Sequence, residues 1–198
     1  MKHIKLYEQF LNESSTKQKI IDLFKTNDRE NIMLGFMLIQ GQNIKFKGFK
    51  DSGYLELDLE PLNLIGIDLS GANLPGFDFS GADLSNANLS GANLSGGTFY
   101  ETILDNANLS NANLSNSEFG GTYLNQTNLS KANLKGSDIS DSEFKKSNLK
   151  GADLSNSDLS NTMFNNADLR NANLKGSTIS TYTDFSGAKT KGANMDTK

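Results

Sequence analysis

Apolar residues recur at every fifth position through most of this chain. The frame runs without interruption from Leu64 to Ile179, and all 24 of its central positions hold Leu, Ile or Phe. Two residues before the centre, 21 of the 22 positions from Ala72 to Ser177 hold Ala, Ser, Thr or Gly, and Phe77 is the exception. A tandem repeat of this length predicts a solenoid built from one small unit.

Each unit has the composition of a short strand followed by a corner. The central residue and the small residue two positions earlier lie on one side of a strand with a period of two, so both are predicted to point inward. The next two residues are mostly Ser-Gly, Ser-Asn or Lys-Gly. Gly and Asn tolerate the positive φ that the third position of a type II turn requires, so we expect such a turn at each corner.

The phenylalanines predict how many units make one coil. Two sets recur at intervals of 20 residues: Phe79, Phe99 and Phe119, and then Phe144 and Phe164. Twenty residues are four units, so each set falls on one face, and the second set lies one face further on. We expect two core ladders whose ring stacking sets the register of successive coils, with Phe185 as a candidate extension of the second.

These units resemble the A(D/N)LXX pattern of the pentapeptide-repeat family, as in Ala-Asp-Leu-Ser-Asn and Ala-Asn-Leu-Ser-Gly within residues 82–96. The resemblance covers residues 57–195. It implies an all-β solenoid, a right-handed quadrilateral β-helix of four units per coil, with about six regular coils in residues 64–198. At about 4.8 Å per coil, six coils make a rod about 29 Å long.

The N-terminal residues follow other patterns. Residues 1–41 are predicted to form a small α-helical cap, with apolar faces at helical spacing in 1–13, 17–25 and 28–40; a functional module is the alternative. Residues 42–63 alternate in strand fashion and are predicted to form a transitional coil. The opening residues 1–13 also look like leader segments of large tailed-phage proteins, which implies a phage origin and a cleavage signal at Leu11-Asn12-Glu13.

The frame slips by one residue near Ser180–Thr183, which leaves Lys189 or Thr190 at one unit centre. We expect an irregular last coil with Tyr182, Phe185 and Met195 near an open end. Either the lysines of the last coil prevent this end from pairing with another chain, or the end pairs with a second copy in an end-to-end homodimer.

The composition argues against an enzyme. The chain has no Cys and a single histidine, His3, so no Ser-His-Asp or Cys-His arrangement and no His-based zinc site can be assembled, and we expect no metal or cofactor. No apolar stretch is long enough for a membrane span, and none resembles a signal peptide. We expect a cytoplasmic location, in a bacterium or a phage-infected cell, with the virion as the alternative.

The outward residue before each centre distinguishes the four faces. Two columns are mostly Asn, which is typical of amide ladders. A third contains the acidic stripe Asp78, Glu118, Asp138 and Asp158, which either imitates a phosphate backbone or consists of solvated Asp in place of Asn. The fourth exposes Ile103, Tyr123 and Met163, and with the unusual corner Tyr100-Glu101 it forms a candidate interaction face.

We therefore expect a non-catalytic rod that presents a binding surface to a protein partner. Residues 60–130 carry seven acids and no Lys or Arg, so direct nucleic-acid binding is not expected. The family resemblance implies one alternative, a DNA mimic that binds a type II topoisomerase (gyrase) through its acidic face. A phage virion-associated or accessory protein is another alternative.

Overall fold

The computed structural model describes residues 45–49, 55–58 and 63–196. The predicted helical cap and leader of residues 1–41 lie outside the described residues. Within the predicted transitional segment, β1 (Lys45–Phe49) and β2 (Leu55–Asp58) match the two alternating stretches of the sequence. They pair with each other in antiparallel fashion, with Lys45 opposite Asp58. That the whole segment forms a coil stays a prediction.

From residue 63 onward the chain winds into coils of 20 residues. The residue before each unit centre pairs in parallel with the residue 20 positions later, as Asn88 does with Asn108. The backbone N–H of Leu89 donates to the carbonyl of Asn108 at 2.7 Å, and the N–H of Asn108 donates to that of Ala87 at 2.8 Å. The coil of four units is thus confirmed. We number its faces 1 to 4, beginning at the centres Leu64, Leu69, Leu74 and Phe79.

Each regular corner is a β-turn of the predicted type. In one example, the N–H of Ala87 donates to the carbonyl of Leu84 at 3.0 Å, and Asn86 between them has φ 60°. The outward side chain reinforces the corner: Asn108 Oδ1 accepts the N–H of Ser110 at 3.2 Å. A short side-chain acceptor is needed there, which explains why Asn and Asp dominate this position of the repeat.

The core consists of the unit centres and the small residues beside them. Where the small residue is Ser or Thr, its hydroxyl donates to a centre carbonyl, usually of the preceding coil, as Thr102 Oγ1 does to Phe79 at 2.8 Å; Ser147 Oγ instead donates to Phe144 of its own coil at 2.7 Å. No buried side-chain N or O atom within the described ranges lacks a hydrogen-bond partner. The repeat therefore accepts hydroxyls in the core without leaving them unsatisfied.

The phenylalanines form the two predicted stacks. Ring centroids are 5.4 Å apart for Phe79 and Phe99 and 4.7 Å apart for Phe99 and Phe119. On face 1, the second stack has centroid distances of 5.3 Å for Phe144–Phe164 and 5.1 Å for Phe164–Phe185, so it continues past the slip in the frame. That these stacks set the register stays a prediction.

Phe77, the one large residue at a small position, is followed by Gly97 in the same column of the next coil. The Phe77 ring packs against Phe79 with centroids 4.6 Å apart. At Gly97, an added Cβ would lie 3.0 Å from the Leu94 carbonyl oxygen and 3.1 Å from both the Phe77 carbonyl oxygen and Phe99 Cε2. The absence of a side chain at Gly97 thus leaves room for the Phe99 ring, which stacks on Phe79 and Phe119.

The frame slip is confirmed and lies at the corner after Ile179. Pairing beyond it joins residues 21 apart, as in Asp168 with Lys189, so Thr190 is the unit centre there. The corner moves by one residue, and the N–H of Thr183 donates to the Ser180 carbonyl at 3.3 Å. The extra residue is absorbed in the corner, and the columns continue.

The Asn columns form hydrogen-bonded ladders. On face 3, Asn113 Nδ2 donates to Asn93 Oδ1 at 3.1 Å, and Asn133 Nδ2 donates to Asn113 Oδ1 at 3.1 Å. An ionised Asp can accept in such a ladder but cannot donate. Asp153 accordingly accepts from Asn173 at 3.0 Å, but it has no N–H for Asn133, so the ladder is interrupted between them.

We predict that Gly97→Ala destabilises the fold by about 1–3 kcal/mol, because the new methyl group would lie 3.1 Å from Phe99 Cε2 and overpack the phenylalanine stack. Urea unfolding followed by circular dichroism measures the change. Ser117→Ala is the matched control, since it lies in the same column and loses only the hydroxyl bond to Leu94. Equal unfolding midpoints for Gly97→Ala and the wild type would contradict the packing argument.

We also predict opposite effects for two amide–acid exchanges on face 3. Asp153→Asn supplies the missing donor and should stabilise the protein by about 0.5–1.5 kcal/mol, whereas Asn113→Asp removes a donor and should cost a similar amount. Thermal unfolding of both variants at neutral pH measures this. If both exchanges change the stability in the same direction, the ladder is not the cause.

Candidate interaction surface

Faces 4 and 1 meet at a corner and together form the acidic side of the rod. The acidic side consists of the outward residues of faces 4 and 1, together with the residues of the corner between these faces. It extends from Asp78 to Asp184. Its acidic residues are Asp78, Asp83, Glu101, Glu118, Asp138, Asp141, Glu143, Asp158 and Asp184. Within these described positions there is no Lys or Arg. The predicted acidic stripe on face 4 is therefore next to the candidate interaction face.

The same side carries most of the exposed large apolar residues. Ile103, Tyr123 and Met163 lie in the face 1 column and are 37–44% exposed, and Tyr100 at the corner is 44% exposed. Tyr182, at the shifted last corner, is 79% exposed. Of the six exposed large apolar residues in the described chain, only Ile65 lies elsewhere. The structure thus joins apolar and acidic groups that the sequence placed in separate columns.

Tyr100 is held in place across the corner. Its phenol donates to Glu118 Oε2 at 2.8 Å. An added Cβ at Gly120 would lie only 2.9 Å from Tyr100 Cε1, so the ring covers the backbone of the next coil. The hydrogen bond to Glu118, together with desolvation and the nearby charge of Asp138, raises the pKa of the Tyr100 phenol. The ring is therefore presented in one orientation and keeps its proton.

The Asp residues of the acidic stripe close their own corners. The N–H of Ser80 donates to Asp78 Oδ1 at 2.9 Å, and Ser140 and Ser160 do the same to Asp138 and Asp158 at 3.0 and 2.9 Å. Asp thus does the structural work that Asn does on faces 2 and 3. Asp78 and Glu118 are exposed, whereas Asp138 and Asp158 are half-buried. That the stripe imitates phosphate stays a prediction.

Glu143 interrupts the apolar column. It is paired between Tyr123 and Met163, and Lys145 at the neighbouring corner lies 2.9 Å from its Oε2. Ile103 and Tyr123, by contrast, are on consecutive coils without a charged residue between them. The most apolar part of the surface is therefore Tyr100, Ile103 and Tyr123.

A basic edge on the far side of the rod was not expected from the sequence. The corner between faces 2 and 3 carries one exposed cation in each of four successive coils: Lys131, Lys150, Arg170 and Lys191. Arg170 is bound to Asp168, with Nε 2.8 Å from Oδ1. That hydrogen bond lowers the pKa of Asp168 to about 2. Reading both residues of each corner together, coil by coil, would have revealed this edge.

The predicted C-terminal interface lies in the last coil. Phe185 and Met195 are partly buried in its core on faces 1 and 3, and Tyr182 lies outside the core at the preceding corner. Thr190, the centre between them, is exposed. The last layer of the described core is thus less covered than the layers before it.

Two further classes of site were sought in the described part of the chain. It contains no group of three or more His, Cys, Asp or Glu residues that could hold a metal ion. No helix in it is long and apolar enough to cross a membrane.

The chain belongs to the pentapeptide-repeat family. The family described as pentapeptide repeats matches residues 63–99, 102–141 and 142–180 in eight copies, which is more than half of the chain. The rod is accordingly a right-handed quadrilateral β-helix. Pentapeptide-repeat proteins are generally structural or interaction proteins. No curated protein sequence matches the chain.

Several solved structures are similar. A pentapeptide-repeat protein of the Arabidopsis thaliana thylakoid lumen is 38% identical with a TM-score of 0.47, and the match covers 48% of this chain and 66%, just under two thirds, of that one. Trypsin-treated QnrB1, a plasmid-mediated fluoroquinolone resistance protein, is 19% identical over 69% of this chain and 90% of its own, with a TM-score of 0.38. A pentapeptide-repeat protein of the cyanobacterium Cyanothece is 24% identical over 68% and 87%, with a TM-score of 0.32.

We predict that Tyr100 titrates above the ordinary phenol value of 10.0. A raised pKa in the folded state means that the Tyr100–Glu118 hydrogen bond stabilises the fold below about pH 10 and is lost as the pH rises through the folded pKa. NMR of ring-labelled tyrosine measures the titration, and Tyr100→Phe identifies the signal. Glu118→Gln should lower the pKa, because the carboxylate is gone. An unchanged value would contradict the assigned cause.

Proposed function

We propose that this protein is a non-catalytic interaction protein, a rigid rod whose acidic side binds a partner protein in the cytoplasm. The observation that carries the proposal is the concentration of exposed apolar side chains and carboxylates on two adjoining faces, with no Lys or Arg among the described residues there. Exposed apolar groups within a polar surround are typical of protein-binding surfaces.

The charge of the surface specifies its partner. Nine carboxylates on one side repel another acidic surface, so two acidic sides do not pair with each other. A partner with Lys or Arg around an apolar centre is complementary in both respects. Tyr100 and Tyr123 supply aromatic contact area, and the Tyr100 ring is already ordered, which reduces the entropy lost on binding.

The dimensions of the surface predict a modest affinity. A face is about 10 Å wide, since it contains about three extended residues, and the rod is about 29 Å long. Two faces therefore offer about 600 Å², compared with about 800 Å² per partner in a standard stable interface. We expect a reversible complex unless the partner also contacts a neighbouring face.

A second candidate function is the DNA mimicry at a type II topoisomerase that the family resemblance implies. The nine carboxylates of the acidic side favour it. They extend over about five coils, or about 25 Å, whereas duplex DNA of that length carries about 15 phosphate charges. The acidic side thus has little more than half the charge of DNA and includes apolar residues, which fits a protein-binding surface better.

Two further proposals depend on residues at the ends of the chain. The less covered core at Phe185 and Met195 supports an end-to-end homodimer through the last coil. The phage-related role and the removal of residues 1–13 depend on a segment outside the described residues, and they stay predictions.

We predict that Tyr123→Ser combined with Met163→Ser abolishes capture of the partner while leaving the fold unchanged, because both side chains point outward. Tagged full-length protein would be used for affinity capture with mass spectrometry. The matched control is Asn113→Ser, an outward residue on face 3. Loss of the partner in the control as well, or its retention in the double variant, would contradict the assignment of the surface.

A charge variant separates the two candidate functions. Asp78→Asn, Glu118→Gln, Asp138→Asn and Asp158→Asn keep the oxygen acceptors that close the corners but remove four charges. Inhibition or protection of gyrase supercoiling by the wild type at micromolar concentration, lost in this variant, would support mimicry and overturn our preference. If a partner still binds this variant, and that binding depends on Tyr123, the result supports the protein-binding surface.

A further inference from the structure

We propose that copies of this chain associate side by side, with the acidic side of one copy against the basic edge of the next. The proposal rests on the proposed function in one respect, since it takes the acidic side to be a docking surface. It adds a particular occupant, a second copy of the chain.

The two surfaces are on opposite corners of the rod. The acidic side is centred on the corner between faces 4 and 1, and the basic edge occupies the corner between faces 2 and 3. In a four-sided coil these corners are diagonally opposed. One molecule can therefore use both surfaces at once, each toward a different neighbour.

The basic edge and the two faces beside it have a net positive charge even when their carboxylates are included. Over the last four coils, faces 2 and 3 with the corner between them carry five cations: Lys131, Lys150, Arg170, Lys189 and Lys191. The same region contains two carboxylates, of which Asp168 is bound to Arg170 and Asp153 accepts from Asn173. Because Arg170 is partly neutralised, the lysines provide most of the attraction.

The two surfaces also share one axial repeat. In the same coils that carry the basic edge, the acidic side holds five carboxylates: Asp138, Asp141, Glu143, Asp158 and Asp184. In two parallel copies every coil is at the same height, about 4.8 Å apart, so acids and lysines face each other coil after coil. A partner whose basic residues do not repeat at this strand spacing lacks the match.

The apolar residues of the acidic side do not oppose this pairing. Lysine side chains have long aliphatic stems that pack on apolar surface while the ammonium group stays near water. The stems of Lys131 and Lys150 can thus cover Tyr123 and Met163 while their charges reach neighbouring carboxylates.

The geometry determines what kind of assembly forms. The contact joins two different surfaces, so it repeats in rows and does not close into a symmetric dimer. Exposed ion pairs are individually weak and screened by salt, so we expect a dissociation constant on the order of 0.1–1 mM that weakens at least about tenfold when salt is raised from about 20 to about 500 mM.

Sedimentation of the full chain across this range of concentration and salt tests the proposal. One variant, Asp141→Lys with Glu143→Lys, reverses two charges on the acidic side in the coils that carry the basic edge; Asp141 has φ 56°, a conformation that Lys131 and Lys146 adopt at 59°. The other, Lys131→Glu with Lys150→Glu, reverses the basic edge. The matched control is Lys146→Glu, at a corner that belongs to neither surface.

We expect each double variant to remain monomeric at low salt, the control to associate like the wild type, and an equal mixture of the two double variants to associate again. In the mixture the intact acidic side of one variant meets the intact basic edge of the other, so pairs form again, which misfolded variants could not do. A wild type that is monomeric at about 1 mM in low salt would overturn the proposal. So would association that persists in both double variants and is abolished by Phe185→Asp, because that result identifies an end-to-end contact.

The same variants separate this proposal from the proposed function. The basic-edge variant leaves the acidic side intact, so a foreign partner should still bind it while self-association is lost. Failure of self-association in the wild type, with partner capture still sensitive to Tyr123 and Met163, overturns only the lateral assembly.

Discussion

The backbone hydrogen bonds between successive coils are the constraint on which the rest of this structure depends. The N–H of Leu89 bonds to Asn108, and the N–H of Asn108 bonds to Ala87, and this pattern places residues 20 apart at a spacing of one strand. Each side chain is therefore in contact with its counterparts in the coils before and after it. A column of like residues becomes a phenylalanine stack, an amide ladder or a row of charges, according to its chemistry.

The same constraint explains how the repeat tolerates irregularities. The column of small residues on face 4 contains Phe77, whose ring packs against Phe79, and then Gly97, which leaves room for the Phe99 ring. The Tyr100 ring is accommodated in the same way over Gly120. At the slip after Ile179, the extra residue remains in a corner, where it costs no pairing between coils, and the core resumes at Phe185.

The period of the repeat allowed much of this fold to be predicted from the sequence. Buried centres, corners and the Phe99 stack all follow from the positions of Leu, Gly and Phe, because one residue type recurs in one place. The pairing of Phe77 with Gly97 was missed because each departs from the repeat separately, and only their separation of 20 residues links them. The basic edge was missed because Lys131 and Lys150 occupy different positions of the corner, and a count along the chain shows only that lysines increase toward its end. Residues 1–41 have no such period, so no column relates them to the rod.

Because the inward side chains of the described coils fill the core, the rod presents its other side chains to partners, and the distribution of charge then limits what it can bind. Residues 63–196 contain fourteen acids and nine cations, which would give a weak field on every face if they were spread evenly. Wrapping the chain instead places nine of these acids on faces 4 and 1 with their corner and five of the cations on faces 2 and 3 with theirs, so the two groups are separated by the apolar core. Because that core is rigid and the Tyr100 ring is fixed by Glu118, the surface is organised before any partner arrives. A partner is consequently selected by whether it can match a fixed arrangement of charges and rings, and a basic surface with the same axial spacing meets that requirement most fully.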